Sequence, residues 1–475
     1  MEVHDGVRSP VHWWSLISCF ILGAVLWFLP HPERLSPEAW KLSAIFLATI
    51  LGIILKPMPL GLCALLSIVL ASLLGVLPLS VSLNQFSNPL LWLVLFAFYI
   101  ARGFVVTGLG ARIAYWAVAF LGKRTLGMAY GLMLSDLVLA PAIPSLTARC
   151  GGVMFPIVQS LARAFDSLPH QPSRDRIGGY LTLCCYNVSI TTSAMFVTAM
   201  AANPLIVGMA AELGVKLTWT SWALAASVPG LISLLLLPLT IYAVCPPGIK
   251  QTPDAPEIAR QHLRELGPMR PQEWIMAGTF VALVTLWILG GMLGLSATVV
   301  AMMGVGFLVM TGVLRWEDLM RLPDAMDTFI WFSILMMLAN SLSTYGVIDW
   351  FTREVMLSLG GLAWQGVLIA LCLIYFYSHY FFASGTAQVG AMYVAFLGLS
   401  ISVGAPPMLA ALIFAAISNL FACLTHYGSS PAPLLYGAGY VSLRHWWTVG
   451  FAMSLQHLFV WGVIGVVWWK VLGYW

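Results

Sequence analysis

One seven-residue motif occurs twice in this chain. Residues 145–151 (SLTARCG) and 384–390 (SGTAQVG) share the frame S-x-T-A-x-x-G and begin 239 residues apart. Two further pairs of segments keep nearly the same separation: Leu91-Trp92 with Ile330-Trp331, and Thr107-Gly108 with Thr344-Tyr345-Gly346. A single S-x-T is weak evidence, because small hydroxyl residues often serve helix packing in membranes. Three landmarks at nearly one separation indicate a duplicated unit.

The amino-acid composition places both copies of this unit in a membrane. Of the 475 residues, 60% are apolar and only 8% are charged, whereas soluble domains carry about 25% charged residues. The basic residues form no contiguous cluster, so no nucleic-acid partner is implied. The eight cysteines contain no C-x-x-C pair, which suggests neither a disulfide framework nor a zinc site.

A membrane-spanning helix needs about 20 apolar residues, and the sequence predicts an all-α polytopic protein with eleven such helices. The first apolar segment, 13–29, is not followed by an A-x-A cleavage pattern, so we expect a retained helix rather than a signal peptide. The predicted spans are 13–30, 38–55, 59–79, 88–107, 176–205, 221–244, 274–293, 296–314, 326–346, 406–424 and 446–473. Trp446, Trp447, Trp468, Trp469 and Trp475 lie near the ends of the last span, as in an aromatic belt.

Each copy of the motif lies at the centre of a long apolar segment. Segment 126–166 is interrupted by Pro141, Pro144 and the motif, and segment 363–400 is interrupted by the second motif. Two apolar limbs that meet at a polar tip predict a re-entrant hairpin. Irregular backbone at this depth is tolerated only where protein or a water-filled cavity surrounds it. Short amphipathic segments at 111–122 and 348–360 are predicted to lie along the membrane interface.

These elements divide the chain into four regions. We expect an N-terminal cytoplasmic segment with an extra helix (1–35), a first repeat (36–245), a hydrophilic cytoplasmic linker (246–272) and a second repeat (273–475). Span 176–205 becomes polar towards its end, and we expect it to unwind near residues 201–204 and to face an interior site. The polar, Gly- and Pro-rich segment 424–433 is the equivalent break in the second repeat.

The distribution of positive charge predicts the orientation. With a cytoplasmic N-terminus, most of the 22 Lys and Arg residues fall on the cytoplasmic side, as the positive-inside rule requires. Five spans per repeat then force the two repeats into opposite orientations, so one hairpin enters from each side and the tips meet near the midplane. Inverted repeats with discontinuous helices are typical of secondary transporters.

The chemistry of this meeting point suits an anion. Helix N-termini carry partial positive charge, and hydroxyl donors hold carboxylates without a buried countercharge. Two related tips fit a molecule with a carboxylate at each end. The predicted substrate-binding residues are Ser145, Leu146, Thr147, Ser384, Gly385, Thr386, Thr198, Asn203, Pro204, Thr425, Ser429, Ser430 and Pro431. The alternative is that these hydroxyls only satisfy helix ends.

Charged residues within spans are costly and suggest function. Arg149 follows the first tip and Asp136 precedes it, so they either form a structural pair or Arg149 supplies positive charge to the anion. Arg102 lies near a span end, where a long side chain reaches the interface. His379 and His426 flank the second tip and the second break, and each is either a buried, hydrogen-bonded residue or a proton-linked one.

Several segments resemble the divalent anion/sodium symporter (DASS) family, especially its citrate/succinate and tartrate/succinate antiporters and plastid 2-oxoglutarate/malate translocators. They are TGLGAR (107–112), LAPAIPSLTAR (139–149), SAMFVTAMAANP (193–204), THYGSSPAP (425–433) and YGAGY (436–440). The resemblance covers nearly the whole chain. It implies a homodimer with a scaffold domain and a moving transport domain, elevator-type alternating access, and tips that hold substrate carboxylates.

The two tips depart from the family pattern. The family tip is commonly Ser-Asn-Thr, whereas Leu146 and Gly385 stand at the middle positions here. In sodium-coupled members the tips and breaks also coordinate sodium, which would involve Ser145, Ala202, Ser384 and Gly428. Losing both amides removes two carbonyl acceptors. This loss argues against sodium coupling, and a fixed charge at Arg149 would replace the cation.

The sequence therefore predicts a transporter of the bacterial inner membrane that exchanges di- or tricarboxylates such as 2-oxoglutarate, malate, succinate or citrate. It predicts no cofactor, except Na⁺ if the protein is instead a sodium-coupled symporter. An intramembrane enzyme is disfavoured, because there is no H-E-x-x-H motif and no pair of carboxylates in the spans. A channel is disfavoured because two broken hairpins favour alternating access.

Overall fold

The computed structural model describes residues 11–348, 350–351, 353–354 and 363–475. Within these residues the chain is helical, and its extended pairing is limited to one bridge between Arg124 and Gln251. The first half contains α1 (Trp13–Phe28), α2 (Pro37–Leu55), α3 (Leu60–Leu73), α4 (Leu79–Ser82), α5 (Pro89–Thr107), α6 (Leu109–Leu121), α7 (Thr125–Leu139), α8 (Phe155–Ala164), α9 (Gly178–Met195), α10 (Ala202–Glu212) and α11 (Trp219–Val244).

The linker and the second half follow the same order. They contain α12 (Ala255–Glu265), α13 (Pro271–Leu293), α14 (Ala297–Met310), α15 (Trp316–Met320), α16 (Pro323–Thr344), α17 (Trp364–Tyr377), α18 (Gly385–Ser402), α19 (Pro407–Leu420), α20 (Ala432–Gly437), α21 (Leu443–Phe459) and α22 (Val466–Val471). Short 3-10 turns lie at Asn84–Ser87, Ala140–Ala142, Pro172–Asp175, Val197–Ala199, Ser378–Phe381 and Phe421–Leu424, and π-helical segments at Thr147–Met154 and Val460–Gly465.

Ten helices in the described residues are long and apolar enough to cross a membrane, and four shorter apolar helices accompany them. The predicted spans 59–79 and 296–314 are too long, since α3 and α14 have 14 residues each. Both helices end at a turn whose glycine, Gly75 or Gly312, has a positive φ. Of the predicted interfacial segment 348–360, residues 349, 352 and 355–360 lie outside the described residues.

The two halves cross each other through equivalent contacts. At the start of α3, the backbone N–H of Gly61 donates to Asp327 of α16 at 2.9 Å. At the start of α14, the Thr298 hydroxyl donates to the Pro89 carbonyl of α5, also at 2.9 Å. Residues 61 and 298 differ by 237, close to the separation of the two motifs. The duplicated sequence therefore forms a duplicated structure, with α3 against α16 and α14 against α5.

The helices form two groups. The frame comprises residues 13–107 and 271–344, and the hairpin body comprises residues 125–244 and 364–471. At the centre of the hairpin body lies α9, in which every residue is buried. Helix α19, with which α9 is in contact, is buried from Leu409 onwards. The hydroxyls and amides of α9 are thus enclosed by protein, as the sequence predicted from their number.

The break in the first repeat lies earlier than predicted. The chain leaves helical geometry at residues 196–201, and residues 202–204, predicted to be unwound, form the first turn of α10. The Asn203 side chain explains this, since its Nδ2 donates to the Ser193 and Phe196 carbonyls at the end of α9. Pro204 is tolerated there because the N–H groups of the first helical turn have no acceptor within the helix, so the missing N–H of proline breaks no helical hydrogen bond.

Two tryptophans of the predicted aromatic belt are packing residues instead. Trp446 and Trp469 are each 1% exposed. The indole N–H of Trp469 donates to the Ala225 carbonyl of α11 at 2.9 Å. Helix α11 covers this side of the last helix, so the indole N–H of Trp469 finds its hydrogen-bond acceptor inside the protein.

The linker contains a helix that was not predicted from its hydrophilic composition. Helix α12 packs on α6 and α8, where the His262 ring stacks on Tyr115 and its Nε2 lies 3.0 Å from the Ser160 hydroxyl. Beyond α12, Arg112 of α6 forms a buried ion pair with Glu273 of α13 at 2.9 Å. The linker therefore holds α6 and the base of the first hairpin to the start of the second repeat.

Candidate functional site

Both motif tips line one cavity of about 340 Å³ between the frame and the hairpin body. The hairpin body contributes residues from both tips and both breaks: Pro144, Ser145, Leu146, Thr147, Met200, Ala201, Ser384, Gly385, Thr386, Ser429 and Ser430. The frame contributes Lys56, Leu60, Phe98, Asp324, Asp327, Thr328 and Trp331. Segments 239 residues apart in the chain are therefore neighbours in the structure.

The first tip is the end of a hairpin whose returning limb begins as a π-helix. Its outgoing limb, α7, stops at Leu139 and a 3-10 turn contains Pro141. The Ser145 hydroxyl then accepts a hydrogen bond from the Ala148 N–H at 3.2 Å. The π-helix Thr147–Met154 continues into α8, and such segments occur frequently at functional sites. The Thr147 side chain remains exposed to the cavity.

The second tip has the same serine cap as the first, but neighbouring side chains leave less space around its middle residue, Gly385. Ser384 caps α18, with its hydroxyl accepting from the Ala387 N–H at 3.4 Å. A Cβ atom placed on Gly385 would lie 3.0 Å from Cε2 of Phe421, which is tighter than usual van der Waals contact. The Phe421 ring in turn stacks on His379, with ring centroids 4.1 Å apart. A larger side chain at position 385 would therefore displace the aromatic pair.

Arg149 is completely buried behind the first tip and hydrogen-bonds with every guanidinium nitrogen. Its Nε lies 3.3 Å from both carboxylate oxygens of Asp136. Its Nη1 donates to the carbonyls of Ile143 and Ala199 at 2.7 and 2.8 Å. Its Nη2 contacts α9 through the Ser189 carbonyl at 2.9 Å and the hydroxyls of Thr192 and Ser193 at 3.3 and 2.7 Å.

The guanidinium therefore joins three segments of the hairpin body. It binds the tip through Ile143, the break through Ala199, and α9 through the residues around Ser189. Of the two alternatives for Arg149, the structure shows the pair with Asp136. The guanidinium is not among the residues that line the cavity, and it binds backbone oxygens of the tip and the break. Asp136 is further satisfied by the Ser189 and Thr192 hydroxyls.

His379 is completely buried behind the second tip, between two acceptors. Its Nδ1 lies 2.7 Å from Oε1 of Gln388, and its Nε2 lies 2.9 Å from the Gly428 carbonyl. The Gln388 amide is oriented by its NH₂ group, which donates to the Tyr375 carbonyl and the Ser378 hydroxyl. A neutral imidazole carries a hydrogen on one of its two nitrogens, so it donates to one of these oxygens. The two contacts fix the position of the ring behind the second tip.

Comparison with known proteins identifies the family. The family described as "Sodium:sulfate symporter transmembrane region" matches residues 10–475. This protein belongs to the DASS family. It is 48% identical over 475 residues to the "Putative malate transporter YflS" of Bacillus subtilis, covering 100% of this chain and 99% of that protein.

Other relatives are similar over nearly the whole chain, and one solved structure has the same fold. The chain is 45% identical to "Dicarboxylate transporter 1, chloroplastic" of Spinacia oleracea, covering 97% of this chain and 81% of the relative. It is 38% identical to "Inner membrane protein YbhI" of Escherichia coli, covering 97% and 98%. The Alcanivorax borkumensis YdaH transporter has the same fold, with a TM-score of 0.56 at 12% identity over 98% of this chain and 99% of that one. This DASS protein is thus a multi-pass membrane transporter and not an enzyme.

In this DASS protein eight of the predicted substrate-binding residues line the cavity, and five do not. The Thr198 hydroxyl donates to the Pro141 carbonyl and accepts from Trp219, so it fastens the break to the first tip. Asn203 and Pro204 are buried in α10, where Asn203 also accepts from Asn419 of the other repeat at 2.9 Å. Thr425 and Pro431 are buried beside the second break.

The predicted sodium ligands are not gathered at one place on the cavity surface. Ser145 and Ser384 line the cavity, whereas Ala202 and Gly428 are buried behind it. The Gly428 carbonyl already lies 2.9 Å from Nε2 of His379. His426 lies outside the cavity lining, among the rings of Tyr427, Tyr436 and Trp447. Arg102 is partly buried, and its Nε has no hydrogen-bond partner in the described residues.

Sequence reasoning missed Gln388 as a functional residue, although the repeat contains the signal. In the shared frame S-x-T-A-x-x-G, Gln388 occupies the position of Arg149. The frame wall of the cavity, with Lys56, Asp324 and Asp327, was also missed. Lys56 and Asp324 lie in what the sequence describes as turns between spans, and Asp327 lies at the start of the predicted span 326–346.

Proposed function

We propose that this DASS protein exchanges dicarboxylates across a bacterial inner membrane, with one anion held between the two tips. The relatives support the substrate class, since two of them are named as transporters of malate and of dicarboxylates. The cavity supports it chemically. Ser145, Thr147, Ser384 and Thr386 offer hydroxyls, and the helix ends at Thr147, Ala202 and Gly385 point partial positive charge at the same space.

The observation that carries exchange rather than sodium symport is the use of tip and break carbonyls by protein side chains. Sodium needs several oxygen ligands. Here the Ile143 and Ala199 carbonyls accept from Arg149, and the Gly428 carbonyl lies 2.9 Å from Nε2 of His379. These side chains stabilise the tips and the breaks without a bound ion. A carrier that binds no sodium has no need of a sodium gradient, and its cargo on the return step is a second anion.

Alternating access follows from the two walls of the cavity. One wall belongs to the hairpin body, with both tips and both breaks, and the other belongs to the frame. An elevator movement of the hairpin body against the frame carries the bound anion from one side to the other. Arg149 and His379 move with the anion, because their hydrogen bonds are made only to residues of the hairpin body. The resemblance to the family extends this proposal to a homodimer held together by the frame.

Sodium-coupled symport is the second candidate, favoured by the family description, which names sodium. Counterflow in proteoliposomes separates the two. Purified protein is reconstituted with or without internal malate, and uptake of labelled malate is measured in sodium and in choline salts. Exchange predicts uptake that requires internal dicarboxylate and is equal in both salts. Symport predicts uptake into empty liposomes that follows an inward sodium gradient.

Removal of the guanidinium tests the role of Arg149 in the proposal. Arg149→Ala is expected to abolish sodium-independent exchange, because the carbonyls of the tip and the break lose their cation. Sodium-dependent uptake that survives Arg149→Ala would show that the guanidinium does not replace a coupling ion. Size-exclusion chromatography of the variant reports whether the protein is still folded.

A further inference from the structure

Helices α2 and α13 are equivalent in the two repeats, and each ends in a left-handed residue. The cap of α13 is Gly294, with φ of 68°, and the cap of α2 is Lys56, with φ of 48° and ψ of 55°. Glycine adopts this conformation freely, whereas a side chain there meets its own backbone. One repeat thus has the unstrained residue and the other has a strained lysine. Strain retained at one of two equivalent positions points to a use for the side chain.

The Lys56 side chain lies on the frame wall of the cavity, opposite the tips. It is exposed, and within the described residues it makes no ion pair or side-chain hydrogen bond. Asp324 and Asp327 line the same wall, and Asp327 accepts from the Gly61 N–H. The ammonium group is therefore available to a ligand in the cavity.

The equivalent residues on the other side of the fold are neutral. At the 239-residue separation, Asp324 and Asp327 correspond to Gln85 and Asn88, and the Asn88 amide donates to Gln85. Lys56 corresponds to Gly294 by its place at the helix cap. The residues that line the cavity include none from 84–88 or 294–298. Of these two sets of equivalent residues, only the set that lines the cavity is charged.

The path of the chain places Lys56 and Asp324 on the same face of the protein as the linker. Arg270, which precedes α13, donates to the Thr107 carbonyl at the end of α5, so these two helix ends lie together. Each span runs from one face to the other. Counting the spans back from α5 to α2 and forward from α13 to α16 therefore places Lys56 and Asp324 on that same face. The cavity in this structure therefore lies towards the linker face.

We propose that Lys56 is the frame's contact for the substrate anion when the site is open to the linker face, and that the opposite face has no such contact. This proposal rests on dicarboxylate exchange as proposed above. A dianion held by the tips presents one carboxylate towards the frame, where an ammonium group attracts it as a point charge. The Asp324 and Asp327 carboxylates repel the same dianion. Lys56 offsets this repulsion, so the two faces differ in apparent affinity.

Side-specific kinetics of Lys56→Gly test the proposal. This variant has the residue that caps α13, so the helix end keeps its geometry. With oriented vesicles, the half-saturation concentration for malate is measured separately on each face. We expect a rise of about fivefold on the linker face, because an exposed charge contact is worth little more, and no change on the other face. Lys56→Arg keeps the charge and is expected to behave like the wild type. Lys41→Ala removes a lysine from the opposite end of α2 and is the matched control.

Two further experiments test the proposal independently. One places a lysine at the equivalent helix cap, and the other changes the ionic strength. Gly294→Lys places a lysine at the equivalent cap and is expected to lower the half-saturation concentration on the opposite face. In the wild type, added salt should raise the value on the linker face more than on the other, because salt screens exposed charges. Equal values for wild type and Lys56→Gly on the linker face, or equal changes on both faces, would overturn the proposal. If the wild type transports no dicarboxylate, the proposed function itself fails instead.

Discussion

His379 and Gln388 form a hydrogen bond of 2.7 Å behind the second tip, and Gln388 occupies the repeat position of Arg149. The correspondence extends to the partners. At the same separation Asp136 is equivalent to Tyr375, whose carbonyl accepts from Gln388. The first repeat places an arginine behind its tip. The second repeat places a histidine there, and a glutamine orients it.

Replacement of His379 tests the contacts behind the second tip. His379→Gln replaces the ring that lies between the Gln388 amide and the Gly428 carbonyl, so one of these buried oxygens loses its hydrogen-bond partner. We expect exchange in the counterflow assay to fall by about tenfold, since a buried polar group left without its partner costs about 1–3 kcal/mol. His426→Gln, outside the cavity, is the matched control and should retain exchange. Equal activity of both variants would contradict a role for His379 in holding the second tip.

Arg149 and Asp136 should show strong coupling in stability. Arg149→Gln alone leaves a buried carboxylate without its cation, and breaking such a pair costs about 3–5 kcal/mol. The double variant Arg149→Gln, Asp136→Asn leaves no buried charge and should recover most of the thermal unfolding midpoint measured in detergent. It should not recover exchange. Recovered exchange would show that the pair serves stability alone.

The space at Gly385 predicts a steric effect on the second tip. Gly385→Ala brings a methyl group to 3.0 Å from Phe421, and overpacking of this kind costs about 1–3 kcal/mol. The shift of Phe421 also disturbs the ring stacked on it, so exchange should fall together with thermal stability. Gly278→Ala on α13 is the control, because its Cβ would meet no atom within 4 Å. If both variants matched the wild type, Phe421 would not restrict this tip.

The ion pair between Arg112 and Glu273 is predicted to fasten the linker side of the frame. Only 5% of the arginine and 2% of the glutamate side chain are exposed. Glu273→Gln leaves the guanidinium buried without its carboxylate and should lower the thermal unfolding midpoint clearly. Glu257→Gln on α12 is the control, because its ion pairs with Arg260 and Arg264 are exposed and should contribute little. An equal effect of both substitutions would argue against this role.

The repeat in the sequence was sufficient to predict the hairpins and the meeting of their tips. Apolar length located most spans, and the two S-x-T motifs located the cavity, because both signals are local in the chain. The position of the first break was wrong by several residues, since it depends on where the Asn203 side chain finds free carbonyls. The burial of Trp446 depends on which helices surround it, and a hydropathy pattern does not contain that information.

The roles of the polar and charged residues near the cavity could also be predicted only in part from the sequence. Arg149 was identified because an arginine within a span is costly wherever it points. The role of His379 depends on the orientation of the Gln388 amide, which is fixed by two acceptors that are distant from any motif. Lys56 appears in the sequence as a turn residue between spans. Its significance emerges only from the comparison with Gly294 and from the cavity that it lines.

We propose that one dicarboxylate bridges the two tips. A structure determined in lipid nanodiscs with malate, in sodium-free buffer, tests this proposal most directly. We expect density for a single anion within hydrogen-bond distance of residues 145–147 and 384–386, with Arg149 and His379 behind it in their present contacts. An anion bound to one tip alone, or malate density that appears only when sodium is added, would contradict it.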